Sequence, residues 1–214
     1  MRKTNIYSFT NSGKGKKNED YCLYREISEN TWVIILADGM GGLSNGDLAA
    51  KIVANTIFNT ISTKIKVEYP EQVLQDAFSD ADRAICKKSY ELKCKMGAAT
   101  TVVLLKGNKI YYCWQGNVRL YKNEKGKLIQ LTKDHITNLY EHKFLTRCIN
   151  GKGFRDNLPL NSFNLQNEET LILATDGYYL SIKNGNLKSN ANNKDFELCT
   201  DDDCSFIEIN SVLI

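Results

Sequence analysis

The chain has 214 residues, 42% hydrophobic and 25% charged, a size and balance that suit one soluble globular domain with a full core over 1–214. A formal net charge of +3, with lysines spread along the chain, argues against a nucleic-acid or membrane partner. The basic start Met1-Arg2-Lys3 is followed by no apolar stretch, so no signal peptide is expected, and no run is long enough to span a bilayer. Seven cysteines without CxxC spacing read as reduced thiols of a cytoplasmic protein, and the two histidines, His135 and His142, lie far from any cysteine pair that would make a zinc site.

In chain order, residues 4–10 and 20–27 read as short strands around a Gly/Lys/Asn loop, and 32–37 as a buried strand. Asp47 to about Lys66 carries a helical stripe of Leu48, Ile52, Val53, Ile57 and Ile61, and a second helix runs from Pro70 to about Lys93. After Gly97 the pattern turns to strands. Thr100–Leu105 and Ile110–Trp114 flank the turn signal Gly107-Asn108, and a second hairpin is built around Glu124-Lys125-Gly126. Residues 133–162 are predicted to hold a weak helical patch and then a Gly/Asn/Pro-rich loop. Residues 170–175 form another buried strand, 183–195 a surface loop, and 204–213 a last strand. Strands, two long helices and then many strands make an α+β pattern with a mostly antiparallel sheet.

Two stretches deliver a carboxylate in the same way. Trp32–Ala37 runs into Asp38-Gly39, and Leu171–Thr175 runs into Asp176-Gly177. A buried strand ending in Asp presents the carboxylate at the rim of a sheet, and the following Gly is expected to allow a tight turn. Either copy alone is an ordinary Asp-Gly turn. Two rims in one domain suit a hard cation such as Mg²⁺ or Mn²⁺.

The acidic signals fall in a fixed order: Asn18-Glu19-Asp20, Asp38-Gly39-Met40-Gly41-Gly42, Gly46-Asp47, Gly97-Ala98-Ala99-Thr100-Thr101, Gly116-Asn117-Val118-Arg119, Leu131-Thr132-Lys133-Asp134-His135, Asp176-Gly177 and Asp202-Asp203. This order resembles the PPM-type, or type 2C, metal-dependent serine/threonine protein phosphatases, in particular their compact bacterial members. The resemblance implies two packed antiparallel β-sheets flanked by helices, an αββα sandwich. It also implies two Mn²⁺ or Mg²⁺ ions that share a bridging carboxylate and activate a water for in-line attack on phosphorus, with no phosphoenzyme. Carried over residue by residue, Asp38 bridges the ions and Gly39 offers its carbonyl. Asp176 and Asp202 bind the second ion, and Glu19 and Asp20 hold waters of the metal shells. Asp38, Asp176 and Asp202 thus carry the chemistry, and the implied partners are phosphorylated proteins made by a serine/threonine kinase. Asp203 stands where the family more often has Asn.

Four departures from the pattern matter. Gly15 replaces the arginine that grips the substrate phosphate, leaving Lys14, Lys16 and Lys17 to supply charge without a planar fork. Leu43 replaces a histidine assigned as general acid. Asn117 replaces an aspartate that helps to hold a third, weaker metal, and the stretch from Asp176 to Asp202 is trimmed. His135 sits in a structural turn, His142 in a variable flap, and Arg119 reads as a structural residue of its strand. The competing functional readings are a weakly active or inactive phosphatase-like regulatory module, or a metal phosphoesterase for small molecules. The retained carboxylates Asp38, Asp176 and Asp202 favour activity, because such a cluster is costly without its cation.

Overall fold

The computed structural model describes residues 2–13, 17–40, 45–139, 142–181 and 201–213. Among the described residues, twelve strands and three helices follow in the order β1 (Arg2–Asn11), β2 (Asp20–Ser28), β3 (Thr31–Gly39), α1 (Gly46–Lys64), α2 (Pro70–Leu92), β4 (Ala98–Lys106), β5 (Lys109–Gln115), β6 (Arg119–Glu124), β7 (Lys127–Gln130), β8 (Ile136–Leu139), β9 (His142–Leu145), β10 (Leu160–Asn164), β11 (Thr170–Ala174), α3 (Asp176–Ser181) and β12 (Cys204–Leu213). One five-stranded sheet has the order β1-β12-β11-β6-β7, the other β10-β5-β4-β3-β2, and every pairing is antiparallel.

The apolar runs sort by parity. In β3, Val33, Ile35 and Ala37 face α1 and α2, whereas Ile34 and Leu36 join the core between the two sheets. β4 divides in the same way, with Val102 and Leu104 toward the helices and Val103 and Leu105 toward the other sheet. Both strands are covered on two faces, which is why their sequences are continuous rather than alternating. Each fully buried Leu or Ile here contributes about 1.5–3 kcal/mol of transfer free energy. The far face of the first sheet carries a smaller cluster in which Phe206 stacks on Phe9 and meets Tyr178 of α3 at 4.4 Å between ring centroids. The expected pair of packed sheets flanked by helices is therefore present.

Two expectations change. Residues 136–139 and 142–145 pair as the antiparallel strands β8 and β9, not as a helical patch. Ile136 and Leu139 have helix-like spacing, but Ile136 sits opposite Leu145 across a ladder. A further strand, β10, occupies the stretch read as loop and pairs with β5. The predicted loop at 183–195 lies outside the described residues.

Candidate metal centre

The site is built at one end of the seam between the sheets. Asp38 has the same parity as Ile34 and Leu36, so its carboxylate continues their inward-facing row. Asp20, at the start of β2, is its direct partner in register. From the other sheet, β11 ends at Ala174; the next residue, Thr175, donates its hydroxyl to Asp20 Oδ2 at 2.9 Å, and α3 then begins with Asp176. Asp202 and Asp203 lead into β12. Glu19, Asp38, Gly39, Asp176, Asp202 and Asp203 line one cavity of about 450 Å³, together with Asn117, Arg119, Asp134 and Tyr179. Of the sequence-predicted ligands, Asp20 stands behind this wall, buried.

The two Asp-Gly glycines serve a purpose other than the tight turn expected of them. Neither has a positive φ. A Cβ on Gly39 would collide with the carbonyl oxygen of Gly46, and one on Gly177 with that of Asp203. Glycine is needed there because two backbones pass without room for a side chain. These contacts pack the end of β3 against the start of α1, and the start of α3 against the entry to β12.

Burial and mutual repulsion raise the carboxylates. Asp38 lies well above the usual carboxylate range, first through desolvation and then through Asp20, Asp176 and Asp202. Asp20 is pushed up to about 7, again mainly by burial. Asp176 is raised by burial and by Asp202. Glu19 is raised by burial and by Asp203, an effect partly offset by the Gly46 N–H at the start of α1. Among the described residues lining the cavity, six are acidic and one, Arg119, is a cation. Arg119 is committed to Asp134, to which Nε and Nη2 donate at 3.0 and 2.7 Å, while Nη1 donates to the Tyr121 hydroxyl and the guanidinium stacks 3.7 Å above the Tyr179 ring. Its expected structural role fits these contacts, although it also forms part of the cavity wall.

The remaining candidates separate. Lys17 pairs with Asp47 in the first turn of α1 at 2.7 Å and does not line the cavity. Lys14, Gly15, Lys16 and Leu43 lie outside the described residues. Asp203 spends both oxygens on backbone, accepting from Gly13 N–H at 3.0 Å and Glu19 N–H at 2.7 Å. Asp202 is exposed to the cavity mouth and accepts from the Asp203 N–H. Asn117 donates to Asp176 Oδ2 at 3.0 Å, which ties the two positions together directly. Sequence reading missed the apolar part of the wall, Ile136, Phe144, Leu145 and Leu180, because the hairpin that carries most of it was read as helix and loop. Among the described residues no three acidic, histidine or cysteine side chains close on one point. An open arrangement of this kind suits ions that keep several waters.

The chain is similar to known proteins along most of its length. Residues 10–203 match the family model described as protein phosphatase 2C. A protein of Mycoplasma genitalium described as a putative protein phosphatase is 26% identical, covering 84% of this chain and 80% of that one. The serine/threonine phosphatase stp of Listeria monocytogenes is 24% identical, over 75% and 71% of the two chains. Among solved structures, the Mycobacterium tuberculosis serine/threonine phosphatase PstP/Ppp superposes with a TM-score of 0.81 at 18% identity, covering 97% of this chain and 98% of that one. The catalytic domain of PstP in complex with two manganese ions gives 0.78 at 19% identity, with full coverage of both chains. The chain belongs to the protein phosphatase 2C family.

Proposed function

We propose that this chain, a metal-dependent protein phosphatase by family, hydrolyses phosphoserine and phosphothreonine in proteins at the acidic end of the inter-sheet seam, with Asp38, the Gly39 carbonyl, Asp176 and Asp202 holding two Mn²⁺ or Mg²⁺ ions. The observation that carries this reading is the convergence of Glu19, just before β2, and of carboxylates from β3, α3 and the entry to β12 on one cavity whose only cation among the described residues is already bound to Asp134. The residues fit a pair of hard cations. The carboxylates raise one another's proton affinity, and the buried Asp20 Oδ1 has no hydrogen-bond partner. When bound, such ions lower the pKa of a water and neutralise charge on the phosphate oxygens.

The chain's own residues do the rest. Glu19 and Asp20 accept hydrogen bonds from waters and orient them. Thr175 fixes one oxygen of Asp20, and Asn117 fixes one of Asp176. Asp203 ties the strand entry at Glu19 and the loop at Gly13 to the start of β12. Lys14 and Lys16 supply positive charge to the substrate phosphate, whereas Lys17 is held by Asp47. We place the protein in the cytoplasm, acting on the products of a serine/threonine kinase. In support, Cys22, Cys86, Cys94, Cys113, Cys148 and Cys204 are free thiols, and no described helix is long and apolar enough to cross a membrane.

The test is hydrolysis of an aryl phosphate and of a phosphothreonine peptide, each with Mn²⁺, with Mg²⁺ and with chelator. Turnover of both with either ion and none with chelator is expected. Binding of Mn²⁺ and phosphopeptide without turnover would replace this reading with that of a regulatory module.

A further inference from the structure

Next to the acidic cavity lies a second one of opposite sign. It has a volume of about 570 Å³, and its wall includes Arg147, Lys152 and Arg155, with Asp156 as the only carboxylate among the described residues. Asp156 pairs with Arg147 at 2.6 Å. Neither Lys152 nor Arg155 has an ion-pair partner among the described residues.

The two cavities are lined by neighbouring stretches of the same strands and loops. Gln115 lines the basic one and Asn117 the acidic one; Arg147 lines the basic one and Leu145 the acidic one. Two residues of chain span at most about 7 Å, so a short extended peptide reaches from one cavity to the other.

The loop bearing these cations is fixed rather than free. Asp82 of α2, almost fully buried, accepts from the backbone N–H groups of Asn150, Gly151 and Gly153 at 3.3, 2.7 and 2.7 Å. Gly151 adopts φ +78° with its Cα so close to α2 that a Cβ would lie 2.6 Å from Cys86 Cα. Ile149 pairs with Ala98 at the edge of β4. The positive charge is thus presented at a set place, which reduces the ordering cost of binding. At the cavity wall Gln115 is 2% exposed, and its Oε1 has no hydrogen-bond partner. Lys152 and Arg155 ask for an anion. A peptide whose phosphorylated residue sits in the acidic cavity supplies a carboxylate or phosphate to them from a neighbouring position, whereas free phosphate is not tethered to the acidic cavity.

We infer that this cavity is a substrate subsite that takes an acidic or second phosphorylated side chain of the phosphoprotein, close in sequence to the residue being dephosphorylated. The inference rests on the phosphatase reading of the acidic cavity. It also gives the site a source of attraction for anionic substrates, which the carboxylate-lined cavity itself repels.

Two phosphothreonine peptides, identical except that flanking glutamates in one are glutamines in the other, test it. With Mn²⁺ the unmodified protein is expected to prefer the glutamate peptide by roughly five-fold in kcat/KM, mostly through KM, the scale of two exposed ion pairs. In the Lys152→Ala, Arg155→Ala double variant the preference should shrink to less than about two-fold, with aryl phosphate hydrolysis unchanged. In parallel, fluorescence polarisation follows the glutamate peptide, made without phosphothreonine, on metal-free protein. Weaker binding by the double variant is expected. An undiminished preference in the double variant, or equal binding of the glutamate and glutamine peptides, would overturn the subsite. So would displacement of the peptide by an equimolar amount of inorganic phosphate, which would make a free anion the ligand. Absence of aryl phosphate turnover with every ion would instead sink the phosphatase reading, and the binding arm would still decide the subsite.

Discussion

Asp20 and Asp38 stand directly opposite each other across the β2–β3 pair. Like charges at such positions destabilise an antiparallel ladder, and here the pair is also desolvated. The arrangement lowers the stability of the metal-free fold and suits the binding of cations.

Asp38→Asn removes one of the two paired, desolvated acids. The metal-free variant is expected to be more stable than the unmodified protein by roughly 0.5–1 kcal/mol in urea denaturation. Its melting temperature should no longer rise on adding Mn²⁺, and aryl phosphate hydrolysis should be lost. A variant that is less stable without metal and still shifted by Mn²⁺ would remove Asp38 from the centre.

Asp202 and Asp203 are adjacent but do different work. Asp203 holds two backbone N–H groups, one on each oxygen. An amide in its place can accept on one side only, so Asp203→Asn should cost about 1–3 kcal/mol of stability, with the Mn²⁺ dependence of activity largely retained. Asp202→Asn should do the reverse, with stability little changed and activity and Mn²⁺ binding strongly reduced. Thermal melts and Mn²⁺ titrations of both variants check this, and the opposite pattern would shift the ligand assignment by one position.

His135 gives a pH dependence that can be separated from that of the acidic cluster. Its Nδ1 accepts from Gly116 N–H at 3.1 Å, its ring stacks on Trp114, and its backbone N–H donates to the Gly116 carbonyl. Burial lowers its pKa to about 4, helped by Arg147 and Lys133 and opposed by Asp134 and Asp156. The unfolded chain, with a histidine pKa of about 6.5, therefore binds the proton more readily. This contribution to stability is complete above about pH 6.5 and is lost as pH falls toward 4. His135→Asn keeps an acceptor and does not titrate. The stability difference between the unmodified protein and the variant, followed by urea denaturation from pH 7.5 to 4.5, should shift against the unmodified protein as pH falls. A constant difference would mean that the ring is already protonated in the fold or titrates alike in both states. The raised carboxylates act with the opposite sign, but they are common to both proteins.

The parts of the fold governed by local pattern were legible. The two long helices, the doubly covered β3 and β4 and the strand-ending Asp38 and Asp176 follow from periodicity and from where an apolar run stops, whereas the short α3 does not. The β8–β9 hairpin was not, since its few apolar residues gain their meaning from a cross-strand partner such as Ile136 with Leu145. At the site, residue types pointed to Asp38, Asp176 and Asp202, but hydrogen bonds between distant segments were invisible. Asp203 binds Gly13 and Glu19 from 190 and 184 residues away, and Lys17 turns to Asp47 instead of to the cavity. The need for glycine after each aspartate was legible, but its cause was not, because the carbonyls that crowd Gly39 and Gly177 belong to other segments.

Asn117 supplies the sharpest test of how this centre differs from one with an aspartate at that position. Its Nδ2 donates to Asp176 Oδ2 at 3.0 Å, its backbone carbonyl accepts from the Tyr179 hydroxyl, and its Oδ1 is buried without a partner. Asn117→Asp exchanges that donor for a second carboxylate against Asp176. Without metal the variant loses a hydrogen bond and gains a repulsion, and should be less stable by about 1–3 kcal/mol. In a chain of this size that is a fall of roughly 2–12 °C in melting temperature. With Mn²⁺ the new carboxylate becomes a further ligand, so the rise in melting temperature on adding the ion should exceed that of the unmodified protein. The two effects have opposite signs, and paired melts with and without Mn²⁺ resolve them. A variant as stable as the unmodified protein without metal would show that Asp176 is not held by Asn117. A loss of stability that Mn²⁺ does not recover would show that residue 117 is outside the reach of the ions.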